Sequence, residues 1–430
     1  MLMQRSLSSL VGNMRWIASL RVQLAVEILL GVLLPFAARY GFHINYDHHP
    51  SAPASFVLSF CSVVAATFLA RRIGGFPGAR TFIYVLPSFS ISFGLAILTA
   101  ITLRLDYNRT VLIASFTLSV AAAYALAYLS ARGAVRRFHV VPGGRTSFLD
   151  DIDGAEWLPL VHPVVPAGRD VMIVADLHHD LESSWERMLA QAAINGVPVY
   201  HVKQVRELLT GRVQIEHLSE NSFGSLLPNL AYRKVKRLID LGACLVVLPA
   251  LAIAMVLIAI GIRLDSPGPV FFRQQRMGYR GRPFTMIKFR SMSHCSEATD
   301  HAVRRNNAIT LADDDRITRL GRFLRRTRLD ELPQILNIVA GDMSWIGPRP
   351  EAMDLSTWYE AEIPFYSYRH IVRPGITGWA QVNQGHVADL VEINMKLQYD
   401  FFYVKNFSAW LDVLITMRTV VVMLNGFGSK

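Results

Sequence analysis

Four runs without a single Asp, Glu, Lys or Arg constrain this chain most: His48 to Ala70, Thr81 to Leu103, Thr110 to Ala131 and Leu241 to Ile262. As a helix, each is long enough to cross a hydrocarbon core of about 30 Å. A further segment, Trp16 to Ala38, is interrupted by Arg21 and Glu27, which either face inward or mark a late start at the interface. Composition agrees: 52% of the 430 residues are hydrophobic and 18% charged, where a soluble domain carries about a quarter charged. The chain reads as membrane-embedded, with four spanning segments in its first 131 residues.

Basic residues orient those segments. Arg5 and Arg15 precede the first, Arg71, Arg72 and Arg80 lie between the second and third, and Arg132, Arg136 and Arg137 follow the fourth. The alternate loops hold fewer, Arg39 in one and Arg104 and Arg109 in the other, so both ends of the set belong in the cytoplasm. The net charge of +11 suits nucleic acid, an anionic membrane or an anionic substrate; the long uncharged runs favour membrane lipid and substrate, and no nucleic acid is expected. Cys61, Cys244 and Cys295 show neither a disulfide framework nor zinc spacing. No short apolar core with a cleavage site opens the chain, so no removed signal peptide is expected.

The expected fold class is membrane α+β. Residues 1–131 form an N-terminal four-helix transmembrane bundle and residues 132–228 a small Rossmann-like α/β unit. Residues 229–262 form a basic lead-in and a re-entrant membrane helix, and residues 263–430 a mixed α/β domain at the cytoplasmic face. In the second part, Arg169 to Asp176 reads as a buried strand, Glu182 to Asn195 as a helix and Val197 to Tyr200 as the next strand. Val141-Pro142-Gly143-Gly144 is too short and too early to be a dinucleotide loop. His178-His179 between Asp176 and Asp180 suggests a metal site, but a polar loop at a strand end accounts for it more simply. The run after Leu241 is basic on both flanks, with Arg233, Lys234, Lys236 and Arg237 before it and Arg263, Arg273 and Arg276 after it. Neither end prefers the outside. Pro249 removes a helical hydrogen bond and is the expected break at which the helix turns back.

The last 168 residues carry the chemistry. Phe284 to Met292 alternates as a strand presenting Lys288 and Arg290 on one face, where they meet lipid or substrate phosphates. Six arginines lie between Arg316 and Arg328, among them Arg326, interleaved with Ile317, Leu320, Phe323 and Leu324 at helical spacing. They lead directly to Asp330-Glu331. Pro333 suits the first turn of a helix ended by Gly341, so the carboxylates sit at a helix N-terminus, where the dipole and the arginines should keep Asp330 ionised. Such a pair suits a nucleophile or a Mg²⁺ site; a helix cap would explain the pair alone, but not the surrounding arginines. Arg349, fixed between Pro348 and Pro350, suits a phosphate clamp. Arg373 enters a glycine turn whose Trp379, Gln381 and Asn383 either bind a nucleobase or sugar or pack locally.

Asp315-Arg316-Ile317-Thr318, Leu329 to Gln334, Gly341-Asp342-Met343-Ser344, Gly347 to Pro350 and Pro374 to Trp379 resemble, in order, the motifs of the bacterial sugar transferases. These are the monotopic polyprenyl-phosphate phosphoglycosyl transferases, and the resemblance covers roughly residues 231 to 424. The upstream segments resemble the large-chain branch. The resemblance implies that Asp330 attacks the β-phosphate of a UDP-sugar with Mg²⁺ held by Asp330 and Glu331. UMP leaves, and undecaprenyl phosphate resolves the hexose-1-phosphate-enzyme. Glu331 assists through the metal or as a base, and Arg349 contacts phosphate. It further implies an inner-membrane enzyme initiating exopolysaccharide, capsule or O-antigen synthesis, with downstream glycosyltransferases and export machinery as partners. UDP-glucose or UDP-galactose is the family-level expectation. Three positions depart from the family pattern: Arg328 for a small hydroxylated residue, Leu248 for a Ser before the proline, and His386 near a frequent Arg.

The alternative is a transport or assembly component of polysaccharide export with a nucleotide-sensing domain, which requires functional charges inside the spans; only Arg21 and Glu27 qualify. A basic scaffold without catalysis makes the ordered motifs accidental. The apolar segment from Trp410 to Leu424 either lies on the bilayer or packs against another protomer in a homo-oligomer.

Overall fold

The structure, a computed structural model, describes residues 19–41, 49–74, 81–131, 136–146, 149, 152, 155–168, 171–214, 228, 230–292, 316–384 and 389–425. Arg169, Asp170, Cys295, Asp315 and His386 lie outside these. The chain divides into two compact units, Met1–Gly211 and Arg212–Lys430. Among the described residues, five helices are long and apolar enough to cross a membrane.

Four of them belong to the first unit: α1 (Leu20–Tyr40), α2 (Ala52–Gly74), α3 (Thr81–Thr102) and α4 (Arg109–Ala131). They share an apolar core that includes Val32, Val63, Phe89, Phe93 and Leu112, while Leu95, Leu98 and Ile113 are exposed in the manner of an acyl-chain-facing surface. Arg21 lies exposed in the first turn of α1, and Glu27 turns inward to accept a hydrogen bond from Thr67. A π-helical turn, Leu29–Leu33, interrupts α1. There the carbonyl of Gly31 accepts from Ser115, and a Cβ at Gly31 would collide with Ser119. Small residues thus let α1 and α4 approach at backbone distance.

The rest of this unit is a four-stranded parallel sheet in the order β2-β1-β3-β4, made of β1 (Arg136–Val140), β2 (Ala155–Pro159), β3 (Ile173–Ala175) and β4 (Val199–His201). Helix α5 (Ser183–Ile194) joins β3 to β4, and α6 (Val202–Thr210) follows directly. Trp185, Met188, Leu189 and Ala192, at helical spacing, bury one face of α5 against Ile173 and Ala175. The sequence showed β3, α5 and β4, with longer strands than are observed. It did not show β1, whose Arg-Arg start hides the pattern, nor α6, which begins with no break after β4.

The second unit is a mixed α/β domain. It begins with α7 (Leu230–Asp265), one helix that continues through Pro249. Along its length it packs on the domain that follows. Arg237 donates to the carbonyls of Ile338 and Val339 at 2.6 and 3.0 Å, and Asp240 accepts from the Ser344 hydroxyl at 2.8 Å. Cys244, Leu248 and Leu251 meet Phe284, Met286 and Ile335, and Ile262 meets Phe289 and Leu324. Leu245, Val246, Ile253, Leu257 and Leu264 are exposed. Lys236 forms a buried 2.7 Å ion pair with Asp412 of the C-terminal helix α13 (Ala409–Asn425), and Tyr232 and Tyr403 donate to the same carboxylate. Within this unit, then, the C-terminal helix packs against the membrane helix.

An antiparallel hairpin, β5 (Phe271–Met277) and β6 (Pro283–Phe289), lies over this helix. Next come α8 (Arg319–Thr327), α9 (Gln334–Ala340) and β7 (Ser344–Ile346), and then α10 (Met353–Glu362) and β8 (Gly375–Thr377), which pairs in parallel with β7. The Asn337 side chain accepts from Ile287 N and donates to Thr285 O, fastening α9 to β6. Gly347 and Gly375 leave no room for a Cβ where the two chain segments cross. Helices α11 (Trp379–Asn383) and α12 (Leu390–Lys405) complete the unit before α13.

Candidate active site

Helix α8 starts where the Thr318 hydroxyl accepts from Gly321 N at 2.9 Å, and it ends at Arg328, whose φ of 57° is left-handed. That reversal sends the chain into the 3-10 turn Leu329–Glu331, and Pro333 then opens α9. Leu329 and Leu332 pack on the cluster of Phe289 and Leu324, so the intervening Asp330 and Glu331 are fixed by apolar neighbours on both sides.

Glu331 is buried. Its Oε1 lies 2.6 Å from Arg349 Nη2 and 3.6 Å from Lys288 Nζ. Burial opposes ionisation, but Arg349 first and Lys288 second outweigh it and hold the carboxyl at about 2. Burial pushes the Lys288 ammonium down to about 8 against the opposing pull of Glu331. Asp330 behaves differently. Burial, and then the neighbouring negative charge of Glu331, raise its carboxyl above the ordinary aspartate value, partly offset by Lys288, Arg349 and Arg325. The arginines and the helix dipole are expected to keep Asp330 ionised; Lys288, Arg349 and Arg325 do favour its charged form, while burial and Glu331 work against it. Asp330 makes no hydrogen bond or ion pair with any described residue.

A second layer fixes Arg349. Its carbonyl accepts from Arg369 Nη2 at 2.8 Å, and the next carbonyl, of Pro350, accepts from Arg276 Nη1 at 2.8 Å. Arg369 also pairs with Asp400 at 2.8 Å and lies 3.8 Å from Glu351, which Lys396 contacts as well. Burial works against Glu351, but Lys396 and Arg369 hold it at about 2. Arg369, Lys396 and Asp400 sit on elements remote in sequence from Asp330 and carry no local signature, so sequence reading missed them.

Of the other expected phosphate ligands, Arg290 is buried and donates to the carbonyls of Pro267 and Ser266 at 2.8 and 2.7 Å, holding the turn before β5. Lys288 and Arg290 therefore serve different partners, although one face of a strand was expected to carry both. Arg326 is exposed on α8. Arg373 donates to Gly341 O at 2.9 Å and stacks 5.2 Å from the Tyr279 ring centre. Gln381 donates to Ile376 O, and Asn383 donates to Trp379 O and accepts from Arg418, so both bond within their own neighbourhood.

The donor set suits a hard cation: among the described residues, Asp330 offers a carboxylate without a partner, and of Glu331 only Oε1 meets Arg349 and Lys288. Cationic groups stand beside a carboxylate of raised basicity, which is the arrangement a nucleophile acting on a phosphate needs.

Residues 231–426 match the family model described as bacterial sugar transferase. Over 403 residues the chain is 39% identical to a UDP-N-acetylgalactosamine-undecaprenyl-phosphate N-acetylgalactosaminephosphotransferase of Aeromonas hydrophila, covering 94% of each chain. It is 34% identical over 284 residues to a UDP-glucose:undecaprenyl-phosphate glucose-1-phosphate transferase of Escherichia coli (strain K12), covering 65% of this chain and 53% of the relative. A protein of the same description from Xanthomonas campestris pv. campestris is 49% identical over 172 residues, covering 40% of this chain and 34% of the relative.

Proposed function

Because the chain belongs to the bacterial sugar transferase family, and so is an undecaprenyl-phosphate sugar-phosphate transferase, we propose that Asp330 is its covalent nucleophile. An Asp330 oxygen attacks the β-phosphorus of a UDP-sugar. The bond from that phosphorus to the bridging oxygen breaks, and UMP leaves with the electron pair. The acyl phosphate on Asp330 then yields its phosphosugar to a phosphate oxygen of undecaprenyl phosphate, regenerating the carboxylate. The observation that carries this reading is the contrast between Glu331, held by Arg349 and Lys288, and Asp330, which no described residue holds.

Glu331 positions Arg349 and Lys288 beside the reacting phosphate. Asp330 and the second oxygen of Glu331 would hold Mg²⁺, which supplies charge neutralisation for the diphosphate when bound. Arg326 is exposed and available to a lipid phosphate, whereas Arg290 and Arg373 support the site through the backbone.

The sugar we favour is N-acetylgalactosamine, because the relative with that specificity aligns over nearly all of both chains, while the two glucose-1-phosphate transferases align over less. Residues 1–131 form a four-helix transmembrane bundle of the inner membrane, and residues 132–228 a Rossmann-like unit. Residues 229–262 form the re-entrant helix, and 263–430 the catalytic domain on the cytoplasmic face. Support for re-entry comes from α7 itself: the same domain grips it at Arg237 and at Ile262, on both sides of Pro249.

Membranes incubated with UDP-[¹⁴C]N-acetylgalactosamine and no added acceptor test the assignment. Label is expected on the protein, absent in Asp330→Asn, and discharged by undecaprenyl phosphate. Unlabelled wild-type protein with full UMP release would sink the covalent route; label from UDP-glucose alone would sink the sugar.

A further inference from the structure

Helix α6 is capped by His201, a residue that the sequence did not connect with the histidines after β3. Asp176 directly follows β3, His178 lies two residues on, and His201 ends β4. The parallel register places Ala175 opposite His201, so the two strand ends deliver these side chains to one spot. His178 Nδ1 and His201 Nε2 are 3.0 Å apart, and His201 Nε2 lies 3.6 Å from Asp176 Oδ1. All three ligand atoms fall within 4.8 Å of one another. In a tetrahedral zinc site with bonds of about 2.0–2.1 Å, neighbouring ligand atoms stand ~3.4 Å apart.

A second observation concerns place. In the order β2-β1-β3-β4 the chain leaves β1 toward β2 on one side and returns to β3 on the other. Open α/β sheets bind ligands at such a reversal, outside the carboxyl ends of the strands. The loop after β1 closes on this cluster: a Cβ on Gly144 would lie 2.5 Å from Asp176 Oδ2, and one on Gly143 would lie 3.1 Å from His179. Gly143 and Gly144 have positive φ, 113° and 66° respectively. The Arg145 amide donates to Asp176 Oδ2 at 3.0 Å, and the His178 amide to Oδ1 at 3.2 Å, which fixes the carboxylate as outer-shell bonds fix metal ligands.

We propose that Asp176, His178 and His201 form a binding site for a divalent transition metal of the zinc class, with one coordination position open to water or an anionic ligand. In the metal-free state His201 Nδ1 accepts from the Lys203 amide at 3.0 Å and caps α6. Metal at Nε2 moves the ring's single proton to Nδ1. No proton is released, and the capping bond is exchanged for a metal bond. The polar-loop explanation of His178 and Asp176 leaves out His201, which is buried and belongs to another strand.

The test is a Co²⁺ titration of the full-length, detergent-solubilised protein, free of any histidine tag and stripped with chelator, followed by displacement with Zn²⁺. One equivalent is expected to give the visible bands of tetrahedral cobalt. His178→Ala, an exposed position that leaves the α6 cap in place, should weaken binding at least ~100-fold, and Asp176→Asn should do likewise. His179→Ala and Asp330→Asn should bind as the wild type does, the latter separating this site from any cation at the catalytic carboxylates. The proposal is overturned if no stoichiometric band forms, if His178→Ala binds unchanged, or if His179→Ala weakens binding equally.

Discussion

Arg349 Nη2 lies 2.6 Å from Glu331 Oε1, and this pairing leaves the adjacent Asp330 as the carboxylate without a described partner. The two acids are neighbours in sequence, yet the fold gives them opposite electrostatic settings. Glu331 is held far below the ordinary glutamate value and Asp330 is raised above the ordinary aspartate value.

Removing one member of a buried ion pair strands the other. Arg349→Ala should therefore destabilise the second unit by about 3–5 kcal/mol. Adding Glu331→Gln should recover part of that loss, although Glu331→Gln alone is destabilising because Lys288 and Arg349 then lack their anion. Denaturant melts of the four solubilised proteins, read as a double-mutant cycle, measure the coupling; additive losses would show that the pair is not a unit.

Asp330→Asn should lower UMP release by ~10⁴-fold or more, as loss of a nucleophile does, with melting close to wild type because the side chain bonds no described residue. Chelation with EDTA should also abolish turnover, and Mg²⁺ should restore it. A turnover assay with added cations decides both.

The pH profile separates activity from stability. Asp330 must be ionised, so kcat/KM should rise with pH through a value above the usual 3.8. Lys288 loses its proton near 8, and kcat/KM should fall there, with the limb displaced upward in Lys288→Arg. The stability linked to Lys288 runs the other way. Its folded value lies below the unfolded 10.5, so stability increases as the pH rises from about 8 to 10.5. Glu331 is depressed from 4.5 to about 2: its contribution is complete above 4.5 and is lost as the pH falls toward 2. Melting temperatures across the same buffers check the signs.

Arg328 is left-handed at φ 57°, a conformation that Asn tolerates and β-branched residues resist. Arg328→Asn and Arg328→Val both remove the charge near Glu331, so their difference isolates the backbone. The Val variant should be less stable by roughly 1–2 kcal/mol. Equal melting would place the turn's geometry elsewhere.

Much of this architecture announces itself locally. The apolar runs became α2, α3, α4 and α7, and Pro333 and Gly341 bracket α9. The segment proposed as catalytic is continuous in sequence, so its ordered motifs were visible before the fold. What the sequence could not assign was which cation meets which oxygen. Arg290, Arg349 and Arg373 look alike in the chain, yet one locks a turn, one meets Glu331 and one holds a helix end. That division depends on residues brought together by tertiary packing, as does the approach of His201 to His178.

The ion pair between Lys236 and Asp412 joins residues near the two ends of the second unit. A ribosome releases the first long before the second. The membrane helix must therefore be threaded and held while its buried lysine still lacks a counter-charge, and the domain can close only when synthesis is almost finished. Loss of α13 by a late stop codon would leave Asp330 and Glu331 in the translated product and still strand the buried Lys236 without its counter-charge.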